Sequence, residues 1–429
     1  MFLRNQLLIL TAFLVLFRIP VYGYQEKGYS YIHPKPDAKY AAEETTLIIR
    51  FVSVSPDHVQ NLDTFISISG DRSGAHPGMT KIASDQKTII FKPDQSFQGG
   101  ETVTVNLTPV LESGDESVEP LNFQFRVVAS ISEEYASMPD DPTVHRFDPN
   151  RPRPATQAQI MPNGVSVPSD FPHVEITVND NPCTDYIFID NRGGGPGRPY
   201  NVIFDNTGSP VWYIHPDDER RDFKVQPNGW ITMMIRWGYG GDGWGFIALD
   251  ENYNYVKTFR ATDGYSTDEH ELQVLEDGGY LLIGRRRIPY DLSPYGGPVN
   301  GSVRETCIQE FTSDDVCFWQ WAALDHFDIA DMEEDNPASG YIRFPHMNSI
   351  DVDDDGNIIL SSRHLSEITK IERYTQNIIW RLSGAHNEFE FIDDPLLGTT
   401  NQHAARVLGG VSILPLITGT VIIRLFLAL

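Results

Sequence analysis

Cysteine is scarce in this chain, with three in 429 residues. That excludes a disulfide-dense scaffold and any Cys-rich structural zinc fold. A positive charge balance is also lacking. Lys and Arg number 33 against 59 Asp and Glu, for a formal net charge of -26 spread along the chain without one dominant acidic block. Such a surface favours solubility and repels polyanions, so no nucleic acid partner is expected. The third absence is any long apolar run of 3.6-residue period after the first 23 residues. Without amphipathic helices to build from, the expected fold class is all-β.

What is present fits a folded protein of two or three domains: 40% hydrophobic and 21% charged residues. Residues 1–23 carry Arg4, the apolar run LLILTAFLVLF, Pro20 and small Gly23, which read as a signal peptide cleaved near Gly23 and predict a secreted, extracellular protein. In an oxidising compartment, Cys307 and Cys317, at the two sides of a hairpin turning at Ser313-Asp314-Asp315, form a disulfide candidate. Cys183 is left as a small buried apolar residue. The sequons at Asn106 and Asn300 are glycosylation candidates, the first weakened by Pro109.

Residues 24–130 alternate apolar and polar in short runs (TLIIRFVSV, TFISISG, KTIIFKP, ETVTVNLTPV, EPLNFQFRVV), the pattern of an immunoglobulin-like β-sandwich with a packing or docking role. Residues 131–172 form a Pro-rich linker, exemplified by RFDPNRPRPATQ, draped over the next domain. Residues 173–406 repeat two hairpin elements. One turns at Gly229, Gly278 and Gly356 (VQPNGWITMMI, VLEDGGYLLIG, VDDDGNIILSS); the other ends in late aromatics (VIFDNTGSPVWYI, EFTSDDVCFWQW, KIERYTQNIIWRL). Alternating them yields successive small antiparallel sheets, a β-propeller with irregular blades whose ring is complete or incomplete.

Three histidines and an arginine recur at one address in this repeat: His270 in DEHELQVL, His346 and Arg363 in FPHMNSIDVDDDGNIILSSR, and His403 in NQHAAR. A ring of blades brings such residues to one centre, where imidazoles beside a guanidinium form a reactive anion site. Other constellations are weaker. Asp351, Asp353 and Asp355 before Gly356 resemble the opening of a calcium loop, but Ser362 stands where a bidentate Glu belongs, so a hairpin turn is preferred. The glycines of RGGGPGRPYN precede a strand rather than the helix a phosphate loop needs. Asp325-His326 reads as loop-ordering rather than acid/base. Trp237, Tyr239, Trp244 and Phe246 either stack on an aromatic ligand or pin their Gly-rich loop. No metal and no cofactor is expected.

The segments DEHELQVLEDGGYLLIG, WQWAALDHFDI, HMNSIDVDDDGNIILSSRHLSEITKIERYTQNIIWRLSG and FEFIDDPLLGTTNQHAAR resemble the arylsulfotransferase (aryl-sulfate sulfotransferase) propeller family, particularly its secreted eukaryotic branch. The resemblance covers about residues 201–406, and the sandwich is similar in kind to the amino-terminal domain of bacterial members. It implies transfer of a sulfuryl group from a phenolic sulfate ester to a phenolic acceptor, without a nucleotide sulfate donor. His403 would be the transiently sulfurylated nucleophile, and His270, His346 and Arg363 would hold the sulfuryl oxygens. Elementary chemistry agrees. Sulfuryl transfer, like phosphoryl transfer, is mostly positioning and electrostatics around three equatorial oxygens.

Two departures stand out. Where the family has QHDAR this chain has QHAAR, with Ala404 in the acidic place, and residues 407–429 form a hydrophobic tail. The tail is open to three readings: a membrane anchor with Arg424 snorkelling, a lipid-anchor signal, or a truncated chain with a non-native end. The alternative function is then a catalytically weak or inactive propeller, secreted or surface-anchored, acting as a binding module.

Overall fold

The amino-terminal strands pair into two antiparallel sheets of four. One runs Tyr29–His33, Leu47–Phe51, Thr88–Pro93, Gly78–Ile82; the other runs Gly74–Ala75, Ile66–Gly70, Thr102–Leu107, Leu121–Arg126. The computed structural model describes residues 24–112, 117–129, 159–161, 164–172, 174–178, 180, 182, 184–191, 200–216, 220–236, 244–392, 394–395, 398–408, 412–417, 421–422 and 425–426. Residues 1–23, Cys183, the Gly-rich 192–199 loop, Trp237, Tyr239 and Arg424 therefore lie outside the described residues.

The two sheets close face to face over Ile32, Leu47, Ile49, Ile89, Phe91, Ile68, Val103, Val105 and Phe125. The first sheet is apolar on its outer face as well. Tyr31, Ile48 and Ile90 point away from the sandwich into a second core with Trp319, Trp321 and Phe344. This explains why LIIRF is buried throughout instead of alternating. Burying each such isoleucine contributes roughly 1.5–3 kcal/mol. Arg50, the one charge in the strand, donates to Thr88 Oγ1 at 2.6 Å and lies over the rings of Tyr31 and Phe318.

From Ile187 onward the chain makes successive antiparallel sheets. The first has three strands, Ile187–Asn191 to Pro210–Ile214; the second has four, Arg220–Val225 to Tyr255–Phe259. The third runs Ser266–Val274, Tyr280–Tyr290, Gly301–Phe311, Cys317–Ala322, with Tyr341–Phe344 added parallel to Gly301–Phe311. The fourth spans Met347–Val352 to Ile378–Leu382, and Gln402–Val407 opens the last. The opening strands of successive sheets lie side by side. Among the described residues there is no α-helix, only short 3-10 turns.

The repeated hairpin has one hydrogen-bond scheme. The amide of Gly229, Gly278 or Gly356 donates three residues back, to Gln226, Leu275 or Asp353, while the latter's own amide closes the strand pair. All three glycines have φ of 80–84°, the left-handed region open to glycine at little cost. The aspartates of the third turn are held by Lys370, whose Nζ lies 2.6 Å from Asp353 and 2.7 Å from Asp355. An ammonium thus stands where a calcium ion would, as expected for a turn rather than a metal loop.

Cys307 and Cys317 are both free and buried, which corrects the expected disulfide. Register is the reason. In their hairpin Cys307 faces Ala322 and Cys317 faces Phe311, so the two cysteines are offset by four positions along the strand. That is about 13 Å at ~3.3 Å per residue, well beyond the ~7 Å Cα separation a disulfide spans.

The carboxyl-terminal part of the expected linker pairs as Gln159–Ile160 with Ser166–Val167 and packs Val167 and Phe171 on Tyr200, Val202 and Phe204. In the tail, Ser412–Ile417 pairs with Gln402–Val407 and with two short strands after it. No helix among the described residues is long and apolar enough to cross a membrane.

Candidate active site

Four opening strands carry the same irregularity. Register shifts fall between Arg221 and Lys224, Thr267 and Leu272, Met347 and Ser349, and His403 and Arg406. A bulge re-aims the side chains on its strand: His270 lies inside one of these, His403 at the edge of another, and His346 directly before a third. His346 and Ala404 adopt left-handed backbone (φ 62° and 51°), a strain of about 1–2 kcal/mol each for non-glycine residues.

The histidines converge. Ring centroids are 5.1 Å apart for His270 and His346, 5.6 Å for His270 and His403, and 6.3 Å for His346 and His403. Asn348 ties two of the strands together, its Nδ2 donating to the Gln402 carbonyl at 2.8 Å. Arg363 sits in the 3-10 turn after Ile358–Ser362, its amide donating to the His346 carbonyl at 3.0 Å. The Arg363 guanidinium is half-exposed, with Nε 3.4 Å from Glu334 in a geometry too poor for a hydrogen bond. It is close enough to His403 to depress the pKa of that imidazole.

Each imidazole has its own electrostatic state. His270 Nδ1 is 2.5 Å from Asp268 Oδ1. Burial opposes the charged form of His270, but Asp268 and then Glu269 outweigh it and raise its pKa. Glu269 is held ionised, burial notwithstanding, by Arg285, His270 and Arg221. His346 is pushed well below the usual histidine range by burial, then by His270 and His364. His403 is lowered to about 4 by burial, then by His270 and Arg363, against the pull of Asp268. Near neutrality His346 and His403 are therefore uncharged, and of the three imidazoles His270 is the one whose surroundings favour the proton.

A backbone carbonyl sets the tautomer of His346. His364 Nδ1 donates to the Arg343 carbonyl at 2.8 Å, so in neutral His364 the Nε2 is an acceptor. It takes the proton of His346 Nδ1 at 3.1 Å, which leaves the lone pair of His346 on Nε2. His364 stays neutral because burial lowers its pKa to about 4.

His270, His346 and His403 each offer a ligand atom within 4.8 Å of the others, a set that can take a transition metal with Asp268 behind His270. Arg363 and a second guanidinium, Arg304, act on the same imidazoles and favour an anion over a cation there.

Residues 227–413 match the arylsulfotransferase (ASST) family model. The match includes all three histidines and both arginines. It supports that family for this part of the chain. No curated protein matches the chain. Among solved structures it is similar to a protein of unknown function from Bacteroides caccae (14% identity, 52% of this chain and 62% of that one, TM-score 0.30). Others are a protein of unknown function from Bacteroides thetaiotaomicron (13%, 92% and 96%, TM-score 0.26) and Kuenenia stuttgartiensis hydrazine synthase (10%, 97% and 99%, TM-score 0.36). This chain thus spans 62% of the length of the first of them, and none of these likenesses bears on function.

Within the arylsulfotransferase-like region, sequence reasoning missed Asp268, His364 and Arg304. Asp268 had a signal, an acid two residues before His270 in DEHEL, and His364 directly follows Arg363. Arg304 had little signal beyond a charge inside a strand that is buried throughout. The aromatic candidates divide. Phe246 is fully buried in the core, and Trp244 lies under the Arg221 guanidinium at 5.4 Å, so both pin structure. His326 stacks on Trp321 at 4.2 Å, beside the amino-terminal sandwich and away from the histidines, in keeping with loop ordering. Asn300 is exposed on a turn, while Asn106 lies within a strand, its amide bonded to Asn122.

Proposed function

We propose that this protein transfers a sulfuryl group from a phenolic sulfate ester to a phenol through a sulfohistidine, on a β-propeller preceded by an immunoglobulin-like sandwich. The observation that carries the reading is the convergence of His270, His346 and His403 near Arg363, with Asp268 favouring the proton on His270. In the first half-reaction the unprotonated nitrogen of His403 attacks sulfur in line with the aryl S–O bond. That bond breaks, its electron pair goes to the aryl oxygen, and His270 gives its proton to the leaving group. In the second, the acceptor phenol returns a proton to His270 and its oxygen attacks sulfur. The N–S bond breaks and its electron pair returns to His403. Arg363 and the remaining imidazole contacts steady the sulfuryl oxygens, a role that typically supplies a factor of about 10²–10³. The amino-terminal segment supports a secreted location for this chemistry.

The test is a quench of the purified protein with an aryl sulfate alone, followed by peptide mass analysis. A mass increase of one SO₃ on the His403 peptide is expected, with turnover lost by at least about a thousandfold in His403→Ala. The same mass on His346, whose Nε2 lone pair is fixed by the His364 relay, would move the nucleophile there. Parallel double-reciprocal lines for donor and acceptor are expected, and intersecting lines would overturn the two-step scheme. No turnover and no adduct in the folded protein would favour the binding-module alternative.

A further inference from the structure

The loop Asp331-Met332-Glu333-Glu334-Asp335 puts four carboxylates beside a centre read as an anion site, which looks counterproductive. Backbone bonds fix it there. The Glu333 amide donates to the His364 carbonyl at 2.7 Å and the Glu334 amide to the same oxygen at 3.4 Å, so the loop is tied to the turn that carries Arg363. Two of its acids are engaged with other groups. Asp331 pairs with His386 at 2.9 Å and lies 3.8 Å from Arg381, and Asp335 accepts from the Arg343 amide at 2.8 Å. Glu334 faces the arginine of the histidine centre, its Oε2 3.4 Å from Arg363 Nε and 3.7 Å from His364 Nε2.

The contact is Coulombic rather than directional. Arg363 Nε is sealed from solvent yet makes no hydrogen bond, and both side chains are 32% exposed, so the pair adds little to stability. What it changes is the field of the guanidinium, whose charge also reaches His403 and His364. An unopposed arginine there would hold an incoming anion harder. That does not make the chemistry faster. A sulfate ester carries its charge on the sulfuryl oxygens, and in a loose transition state of the phosphoryl-transfer kind that charge moves to the aryl oxygen as the S–O bond breaks. Extra positive charge at the sulfuryl oxygens therefore favours the bound ester over the transition state, and lowers KM and kcat together.

We propose that Glu334 is a positioning residue that acts through Arg363: as its counter-ion, it tempers the pull on the donor's sulfuryl group and so favours turnover over tight binding. The catalytic half of this inference rests on the sulfuryl-transfer reading, and the electrostatic half does not. Inorganic sulfate is the probe, titrated by calorimetry into the intact protein. Glu334→Gln keeps the shape of the side chain and removes its charge. It is expected to bind sulfate about two- to fivefold more tightly than the unaltered protein, the size of a half-exposed charge pair. In an Arg363→Gln background the same change is expected to have no effect, which assigns the gain to that guanidinium. With an aryl sulfate and a phenol, the donor KM and kcat should fall together in Glu334→Gln, leaving kcat/KM within about twofold. A sulfate affinity that is unchanged or weaker, a gain that survives the loss of Arg363, or no sulfate binding by either protein overturns the counter-ion. A lower KM with kcat intact overturns its part in turnover. Where sulfate binding tightens but nothing is transferred, the counter-ion stands and the sulfuryl-transfer reading falls.

Discussion

Ala404 shows how much one position can carry. It follows His403 directly, in a left-handed conformation (φ 51°) inside a bulge, where the family resemblance leads one to expect an acid. Asp and Asn tolerate that backbone better than alanine does, because their short polar side chains bond locally. Ala404→Asn should accordingly stabilise the protein by up to about 1 kcal/mol, read as a higher thermal midpoint, whereas a lower midpoint would mean the bulge has another geometry. The histidines themselves were visible in the sequence, because each stands just ahead of an apolar strand in a recurring pattern. Asp268 and His364 stood beside them in the sequence without showing what they do, and Arg304 gave little sign at all. The roles of the first two come from a bulge and a tautomer relay, neither of which is encoded by spacing along the chain.

Among the elements, the hairpins were the most readable. Asn228-Gly229, Gly278-Gly279 and Asp355-Gly356 mark turns because few other residues accept φ near 80°, and the three share one hydrogen-bond scheme. Gly356 isolates this effect, since a Cβ built there meets nothing within 4 Å. Gly356→Ala is expected to cost about 1 kcal/mol through backbone strain alone, lowering the urea midpoint with an unchanged slope. An unmoved midpoint would show that the turn relaxes into another type. The disulfide failed at this same scale. A turn flanked by two cysteines says nothing about which residues face each other, and the register set Cys317 against Phe311.

Across the whole molecule, buried imidazoles dominate the acid side of stability. Burial is the leading cause that lowers His33 to about 3 and His364 and His403 to about 4, and that holds His326 and His346 well below the usual histidine range. Between the ordinary histidine pKa of 6.5 and about 4 the unfolded chain takes up these protons and the folded one does not, so stability falls as pH falls through that window. Asp222 and Asp325, raised to about 6 chiefly by burial, pull the other way, as do the smaller upward shifts of Asp263, Asp351 and Glu367. The imidazole shifts are larger and prevail. His270, raised, adds stability that is complete below 6.5 and is lost as pH rises through its folded value. Thermal midpoints should thus be highest near about pH 6–7 and fall toward about pH 4.5, and a flat or rising profile on acidification would contradict this account. The all-β class was plain from the missing helical period. The docking of the sandwich on the third sheet was not, because a doubly covered strand reads only as continuously apolar.

That docking gives the strand Tyr280–Tyr290 two readers. Its successive arginines face alternately toward the histidine centre and toward the Tyr40 carbonyl of the amino-terminal region. Severing the two halves would bare Tyr31, Ile48 and Ile90 on one piece and Trp319, Trp321 and Phe344 on the other, two sticky wounds on otherwise acidic fragments. Fragments expressed apart would clump or be degraded, and only co-expression would restore both. The sandwich is in this sense a backplate for the wall that carries Arg285 and its carboxylate partner Glu269.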